Sequence, residues 1–263
     1  MKYNQLHPDF KLNGNVFPTT GDLIQYSKSI SKPTHQFFVD WFADTSFIEV
    51  KTSGSTGVPK QIQLRKEQML NSAVATGKFF NLPNRTTALL CMSTEYIAGK
   101  MMLLRAMVLG WELDVVAAIS TPLKETSKTY DFSAMVPLQL QKSLTELYRI
   151  QKLIVGGGIV SNDIEKKIQD LDTQIFATYG MTETITHIAV RKLNNFKSND
   201  CREEGLYQTL PEISISQDER NCLVINATKL SDSIVVTNDV VDVFSESTFC
   251  WLGRFDNVVN SGG

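Results

Sequence analysis

From residue 47 to residue 178, short apolar runs of strand length alternate with longer segments whose apolar residues recur at helical spacing. Strands are predicted at 47–52, 61–64, 86–92, 113–118, 152–155 and 174–178, and helices at 35–42, 66–80, 99–110, about 137–149 and from 162. Parallel strands need long crossover connections, which are usually helices. The alternation therefore predicts an α/β fold with mostly parallel sheets flanked by helices.

After about residue 194 the pattern changes to short strands separated by turn residues. These strands are predicted at 212–216, 222–227, 234–237 and 248–252, which is typical of a small antiparallel sheet or barrel. We therefore expect an α/β part over 1–194 and a small β subdomain over 195–253. The ending Asn260-Ser261-Gly262-Gly263 is typical of a linker.

Composition excludes several classes of function. The formal net charge of −2 leaves no basic surface for nucleic acid or an anionic membrane. No apolar run reaches the length of a transmembrane helix, and the N-terminus has no signal-peptide core. The four cysteines form no C-x-x-C pair, which argues against zinc and redox motifs and for a cytoplasmic protein. The sequence leaves the oligomeric state open, a homodimer included.

Residues 51–60 place glycines, hydroxyls and a lysine directly after a predicted strand. Glycine lets backbone approach a ligand, and hydroxyls, N–H groups and lysine bind anionic oxygens, so the segment is interpreted as a polyphosphate loop. A P-loop NTPase is an alternative that the sequence weakens, because Pro59 stands where the second glycine of a P-loop should fall and Gln61 follows the lysine. An ordinary turn is the alternative interpretation.

Two further turns follow predicted strands. Thr182 and Glu183 come after a strand that ends near Thr178, and a hydroxyl beside a carboxylate can hold a phosphate oxygen and Mg²⁺. The alternative is that Thr182 caps a helix. Residues 156–158 are three consecutive glycines, which let a flat ring lie against the backbone or simply form a strand-to-helix turn.

Two of these segments resemble hallmarks of one family. The order Ser-Gly-Ser-Thr-Gly-Val-Pro-Lys at 53–60 resembles the phosphate loop of the acyl-adenylate-forming enzymes: acyl-CoA synthetases, luciferases and adenylation domains. Tyr-Gly-Met-Thr-Glu at 179–183 resembles the second hallmark, in the family's order. The resemblance covers roughly residues 47–263.

The resemblance implies a reaction in two halves. A carboxylate attacks the α-phosphorus of ATP to give an acyl-adenylate and pyrophosphate, and the thiol of coenzyme A then displaces AMP. Positioning and charge neutralisation drive such chemistry, with Mg²⁺ on the phosphate oxygens. ATP, Mg²⁺ and coenzyme A are thus the implied cofactors, and a small carboxylic acid is the implied partner.

The resemblance also implies roles for individual residues. The β- and γ-phosphates fall to Ser53, Ser55, Thr56 and Lys60, in a loop with Thr52, Gly54 and Gly57. Thr182 would contact the α-phosphate and Glu183 the Mg²⁺, so that Thr182, Glu183 and Lys60 are the expected catalytic residues. The adenine pocket falls to Gly156, Gly157 and Gly158, with Tyr179 stacking on the base, and Gly180 is a further nucleotide-binding residue.

The last two family motifs lie near the C-terminal end. Asp239 would bind the ribose hydroxyls, although Asn238 stands before it where the family usually has glycine. Arg254 would contact the ribose or a phosphate. Asp256 would be the pivot of a hinge over residues 254–263. An isolated charge at these positions is otherwise a solvated surface group.

Three segments, 97–105, 135–140 and 186–189, resemble one branch of the family, the o-succinylbenzoate–CoA ligases of menaquinone synthesis. Within that branch Arg105 is the candidate to bind the second carboxylate of the acid, with Lys100 and His187 in the same pocket. From the residues alone, a partly exposed, snorkelling side chain is the favoured interpretation of Arg105, and a core or surface histidine is the alternative for His187.

The segment before the phosphate loop is shorter than in typical relatives, which predicts a reduced large domain. The chain also ends directly after the hinge motif, before the small domain that carries the family's assisting lysine, so we expect it alone to bind ligands and turn over poorly. The alternatives are another acyl-CoA synthetase, a carrier-protein adenylation domain, or a nucleotide-binding module without turnover.

Overall fold

The computed structural model describes residues 5–51, 61–195 and 205–257 of the 263-residue chain. The strands within these ranges are β1 (Lys11–Leu12), β2 (Phe47–Lys51), β3 (Gln61–Arg65), β4 (Thr87–Leu90), β5 (Glu112–Val115), β6 (Tyr130–Met135), β7 (Ile150–Val155), β8 (Gln174–Gly180), β9 (His187–Lys192), β10 (Leu206–Thr209), β11 (Ser214–Gln217), β12 (Cys222–Asn226), β13 (Val235–Ser245) and β14 (Thr248–Arg254). The α-helices are α1 (Thr20–Ser27), α2 (Lys32–Phe42), α3 (Lys66–Phe79), α4 (Ile97–Leu109), α5 (Pro137–Lys142) and α6 (Asn162–Lys167).

Twelve of the strands in the described ranges form one continuous sheet, in the order β1-β5-β4-β6-β7-β8-β9-β10-β14-β13-β12-β11. Every pair from β1 to β8 is parallel, and every pair from β8 to β11 is antiparallel. β2 and β3 form a separate antiparallel ribbon. The predicted α/β class with an antiparallel C-terminal part is confirmed, and the antiparallel strands extend the parallel sheet itself.

The parallel half of the sheet is buried on both faces. Along β4 and the residue that follows it, Ala88 and Leu90 belong to one apolar core, whereas Leu89 and Cys91 belong to another. Side chains alternate across a strand, so the two cores lie on opposite faces of the sheet. Helices α3 and α4 contribute to the first core, and α5 and α6 to the second. Burial on both faces explains why these strands are almost continuously apolar in sequence.

Local chemistry sets where the helices begin and end. Ser31 caps α2, its hydroxyl accepting from Thr34 N at 3.2 Å, and Gly110 ends α4 in the left-handed region at φ 72°. The helix predicted at 137–149 is shorter: α5 ends at Lys142 because Ser143 leaves helical geometry at φ −115°. The chain continues as a 3₁₀ helix, Leu144–Arg149.

The chain order creates a crevice at one edge of the sheet. From β4 the chain passes through α4 to β5 on one side, and then to β6 on the opposite side of β4. The chain thus leaves β4 towards β5 and leaves β6 towards β7, in opposite directions. At such a switch point a gap opens beyond the carboxyl ends of the two strands, here β4 and β6. This position is where open α/β sheets bind ligands.

The described ranges can be searched for membrane-spanning helices and for the state of the cysteines. No helix there has both the length and the apolar character needed to cross a bilayer. Cys91 and Cys222 are buried free thiols, Cys250 is a half-buried one, and Cys201 lies outside the described residues. Burial raises the pKa of Cys91 to about 12, so this thiol stays protonated at neutral pH.

Candidate active site

A cavity of about 610 Å³ opens at the carboxyl edge of the parallel sheet, at the switch point. It is lined by residues that follow each of the five strands β4 to β8. Those residues include Met92 after β4, Ile119 after β5, Val136 after β6, Gly156 after β7 and Thr182 after β8. The walls are mostly apolar, and an apolar cavity with a few polar groups is typical of small-molecule sites.

Arg105 is the charged group in the wall of this cavity. Arg105 lies on α4 and is only 2% exposed. Its Nε donates to Thr76 Oγ1 at 3.2 Å, and one terminal nitrogen donates to Thr186 Oγ1 at 3.3 Å. It pairs with no carboxylate among the described residues. Burial lowers the pKa of Arg105 from 12.5 to about 9, because desolvation penalises the charged form. The guanidinium still carries its charge at neutral pH.

His187 shares this polar base of the cavity. Its Nε2 lies 3.4 Å from Thr76 Oγ1, and the residue is buried. Burial, and then the charge of Arg105, lower the pKa of His187 well below its usual value, so the ring is neutral at pH 7. Lys100 instead donates to Thr94 O at 3.0 Å, and burial lowers its pKa. Lys100 is not among the residues that line the cavity.

Two of the predicted glycines are required by close contacts. A Cβ on Gly180 would lie 2.1 Å from Thr186 O, and one on Gly156 would lie 2.5 Å from Thr178 Oγ1. Gly157 has φ 78°, which favours glycine. A Cβ on Gly158 would meet only Pro137, at an ordinary 3.5 Å. Gly156, Gly157 and Gly180 line the cavity, whereas Gly158 does not.

Thr182 and Glu183 lie in a short 3₁₀ helix directly after β8. Thr182 lines the cavity. The helix ends in a strained γ-turn at Ile185, with φ 68° and ψ −64° and a 2.8 Å bond from Thr186 N to Thr184 O. A β-branched residue is rarely found in this region, and the turn presents Thr186 to Arg105.

Glu183 is exposed and makes no hydrogen bond or ion pair with another described residue. No group of three or more His, Cys, Asp and Glu within the described ranges could hold a metal by itself. Mg²⁺ at nucleotide sites usually takes one or two carboxylates and completes its shell with phosphate oxygens and water. Glu183 does not itself line the cavity, but it is an accessible carboxylate directly after Thr182, which does, and this placement fits that chemistry.

A second polar cluster is centred on Asp239, on β13. Asp239 is 5% exposed; its Oδ2 accepts from the hydroxyl of Tyr179 at 2.6 Å, and its Oδ1 from Nε1 of Trp251 at 3.1 Å. Burial and the bond to Asp239 raise the pKa of Tyr179, so its hydroxyl remains a donor. The Tyr179 ring packs edge-on against Tyr207 and Phe249 at centroid distances of 5.8 and 5.3 Å.

The residues predicted to begin a hinge lie beside this cluster. Arg254 NH1 is 3.7 Å from Asp239 Oδ1, and Arg254 NH2 is 3.4 Å from an oxygen of Asp256. Asn238 Nδ2 lies 3.3 Å from both oxygens of Asp256. Asn238, which replaces the usual glycine, thus has an extended conformation within β13 and contacts the predicted pivot.

The structure therefore brings the predicted residues into two groups. The cavity brings together Arg105, His187, Thr182, Gly156, Gly157 and Gly180 but not Gly158, and a cluster beside it brings together Tyr179, Asp239 and Arg254. The predicted phosphate-binding residues Thr52, Ser53, Gly54, Ser55, Thr56, Gly57 and Lys60 lie outside the described residues. Sequence reasoning did not identify Thr76, Gln139, Thr186 or Trp251, whose roles arise from contacts between distant segments.

Gln139 is the clearest of these omissions. This buried side chain lines the cavity, and its Nε2 donates to Cys91 O at 2.7 Å and Ile119 O at 2.9 Å. Its Oε1 accepts from Val136 N at 3.2 Å. One amide therefore joins the segments that follow β4, β5 and β6, and fixes their spacing around the cavity.

Comparison with known proteins identifies the family that the sequence motifs resemble. The profile of a family described as AMP-binding enzyme matches residues 50–211. A 2-succinylbenzoate–CoA ligase from Staphylococcus aureus is 28% identical over 142 residues, which cover 51% of this chain and 28% of that protein.

Solved structures agree in fold. An acyl-CoA synthetase (AMP-forming)/AMP-acid ligase II-like protein from Dyadobacter fermentans is 39% identical with a TM-score of 0.78, covering 88% of this chain and 66% of its own. An o-succinylbenzoate coenzyme A synthetase from Bacillus subtilis, in complex with ATP and magnesium ion, has a TM-score of 0.68 at 15% identity and covers 95% of this chain and 65% of its own. The match to the Bacillus subtilis protein is one of fold alone.

Proposed function

Because the chain belongs to the AMP-binding enzyme family, we propose that it activates a carboxylic acid as an acyl-adenylate, with o-succinylbenzoate as the acid and coenzyme A as the acceptor. The whole protein's activity is part of this proposal, since the matched relatives are longer than this chain. So are the cytoplasmic location, the possible homodimer and the hinge over residues 254–263.

The observation that carries the choice of acid is Arg105. A buried guanidinium without an acidic partner among the described residues lies in a mostly apolar cavity. Such a site favours a ligand that combines an apolar body with an anionic group, because the anion offsets the desolvated charge. o-Succinylbenzoate has an aromatic ring and two carboxylates, so one can bind Arg105 while the other reacts. The name of the Staphylococcus aureus relative supports the same acid.

The residues around the crevice suit the first half of the reaction. An oxygen of the reacting carboxylate attacks the α-phosphorus, an O–P bond forms, and the bond to pyrophosphate breaks. The Thr182 hydroxyl donates a hydrogen bond to an α-phosphate oxygen, and residues 52–60 hold the β- and γ-phosphates. Glu183 would hold Mg²⁺, which supplies charge neutralisation on the phosphate oxygens when bound. In the second half the coenzyme A sulfur attacks the acyl carbon and AMP leaves.

The test is ATP–pyrophosphate exchange with a panel of acids, using the full-length protein. We expect exchange with o-succinylbenzoate, and much weaker exchange with benzoate, which lacks the second carboxylate. Exchange with a different acid would replace the proposed substrate. The absence of exchange with every acid, together with tight binding of a stable adenylate analogue, would indicate a binding module instead.

Thr182 gives a direct check on the assignment of roles. Thr182→Ala removes one donor to the developing charge, which typically lowers the rate by about 10²–10³. Thermal unfolding should show that the variant remains folded. Wild-type exchange by a folded Thr182→Ala protein would remove Thr182 from the mechanism.

A further inference from the structure

We propose that the indole N–H of Trp251 positions Asp239 for the ribose of the bound nucleotide, which makes Trp251 a positioning residue for nucleotide recognition. The proposal rests on the proposed function, in which Asp239 accepts from the ribose hydroxyls. It concerns a residue that has no role in any motif of the sequence.

The geometry around Asp239 leaves its carboxylate little freedom. Trp251 Nε1 donates to Oδ1 at 3.1 Å and the Tyr179 hydroxyl donates to Oδ2 at 2.6 Å. The backbone N–H of Asp239 is held by Thr237 Oγ1 at 3.1 Å, and its strand position is paired with Arg254 on β14. Each oxygen of the carboxylate thus accepts a hydrogen bond from a different aromatic side chain.

Hydrogen bonds to both oxygens hold the Asp239 carboxylate in one orientation towards the ribose hydroxyls. A carboxylate oxygen accepts more than one hydrogen bond, so each oxygen of Asp239 keeps capacity for one further donor. The vicinal hydroxyls of ribose supply two donors with a fixed separation. A carboxylate that could rotate would meet them in several orientations, whereas one held at both oxygens presents a single orientation. Indole N–H is a donor only and cannot compete with the carboxylate as an acceptor.

The two donors differ in what holds them. Tyr179 is immobilised because its ring packs against Tyr207 and Phe249. Trp251 lies on β14 opposite Val241 of β13, so its indole reaches across the strand pair to Asp239. Because Arg254 is half-exposed and 3.7 Å away, it is a weaker constraint on Oδ1. Trp251 is therefore the main anchor of the oxygen that Tyr179 does not hold.

The experiment compares ATP with 2′,3′-dideoxy-ATP, with binding to the full chain measured by calorimetry. Trp251→Phe keeps an aromatic ring but removes the N–H. We expect wild type to prefer ATP by roughly 10-fold or more, which is the usual size of a hydrogen bond to a charged group. Trp251→Phe should weaken ATP binding by roughly 10-fold and leave dideoxy-ATP binding unchanged, so that the preference disappears.

Trp111→Phe is the matched control, because Trp111 is buried and its Nε1 makes no hydrogen bond with the described residues. It should keep the preference for ATP. Tyr179→Phe removes the donor to the other oxygen and should reduce the preference independently. If Trp251→Phe does not fold, Trp251→Leu removes the same N–H and gives the same test: the preference for ATP should disappear, and a preference as strong as that of wild type would show that the indole only packs.

Two results would overturn the inference. A folded Trp251→Phe protein that prefers ATP as strongly as wild type would show that the indole only packs. Equal binding of both nucleotides by wild type would mean that Asp239 does not contact the ribose. If pyrophosphate exchange persisted in that second case, the proposal of acid activation would stand while this one failed.

Discussion

Replacing Arg105 by methionine should stabilise the protein while it abolishes selective binding of the acid. Arg105 is 2% exposed and has no carboxylate partner among the described residues. A group that stabilised the fold would be expected to have such a partner. A group retained for ligand binding instead carries an uncompensated desolvation cost in the free protein.

The size of that cost follows from the pKa. The fall from 12.5 to about 9 corresponds to about 5 kcal/mol, at about 1.36 kcal/mol for each pH unit. The two hydroxyl acceptors of Arg105 offset part of it, by about 1.5–2 kcal/mol each. Neither hydroxyl is orphaned by the change, since Thr76 Oγ1 still donates to Ser72 O at 3.0 Å and Thr186 Oγ1 stays 3.1 Å from Ser72 Oγ.

We therefore expect Arg105→Met to raise the free energy of unfolding by about 1–2 kcal/mol, because methionine fills a similar volume without a charge. For a chain of this size the melting temperature should rise by about 2–8 °C. Urea and thermal unfolding of the free protein measure the change. Added o-succinylbenzoate should raise the melting temperature of wild type but not of the variant.

Arg149→Met is the matched control, because one terminal nitrogen of Arg149 donates to the backbone carbonyls of Leu123 and Thr126. Loss of that donor leaves two acceptors unpaired, so the control should be destabilised by about 1–3 kcal/mol. If Arg105→Met were destabilised to the same extent, Arg105 would be a structural group. The choice of acid would then lose its main support.

Three further changes test other parts of the site. Gly180→Ala should cost about 2–4 kcal/mol because its Cβ would lie 2.1 Å from a backbone oxygen, whereas Gly158→Ala should stay within about 0.5 kcal/mol by urea unfolding. Because the pKa of His187 is lowered in the folded state, wild type should lose stability as the pH falls below about 6.5, with a slope of up to about 1.4 kcal/mol per pH unit. His187→Gln should lose that component in unfolding curves between pH 7.5 and 5. Gln139→Met should lower the free energy of unfolding by about 1–3 kcal/mol, and it should raise KM for the acid more than it changes kcat. Gln169→Met is the control: it removes an amide that bonds Glu165 O and Leu193 O outside the cavity, and it should leave KM unchanged.

The parallel half of the fold could be predicted because its signal is local. Strands buried on both faces are continuous apolar runs, and the helices between them repeat apolar residues at helical spacing. β7 and β8 were therefore predicted within a few residues of their observed bounds. β6 was missed because Asp131 and Ser133 interrupt its apolar run. Asp131 instead accepts from Thr87 N and its hydroxyl on neighbouring β4, each at 2.8 Å.

The antiparallel half depends on partners that are distant in sequence. β13 was predicted as four residues but extends over 11, because the polar residues Asn238, Asp239 and Asp242 hide the strand pattern. Two of these polar side chains bond to partners that are distant in sequence, which local spacing cannot show. Asp239 is buried against Tyr179 and Trp251, and Asn238 contacts Asp256.

The same limit explains which site residues the sequence could provide. Thr182 and Asp239 belong to short motifs, so a local pattern was enough to propose them. Gln139 and Trp251 act through single hydrogen bonds to segments brought close only by the sheet. An amide or an indole in an otherwise apolar stretch gives no signal of this kind before the strand order is known.

The strand order also explains why the two polar clusters can serve one reaction. β8 is the strand at which parallel pairing changes to antiparallel pairing. On its carboxyl end, Thr178 and Gly180 line the cavity while the intervening Tyr179 reaches Asp239 on the antiparallel half. An acid held by Arg105 and a ribose held by Asp239 would therefore lie on either side of the same few residues. Gly180 allows β9 to return this close to β8, because a Cβ at this position would lie 2.1 Å from Thr186 O.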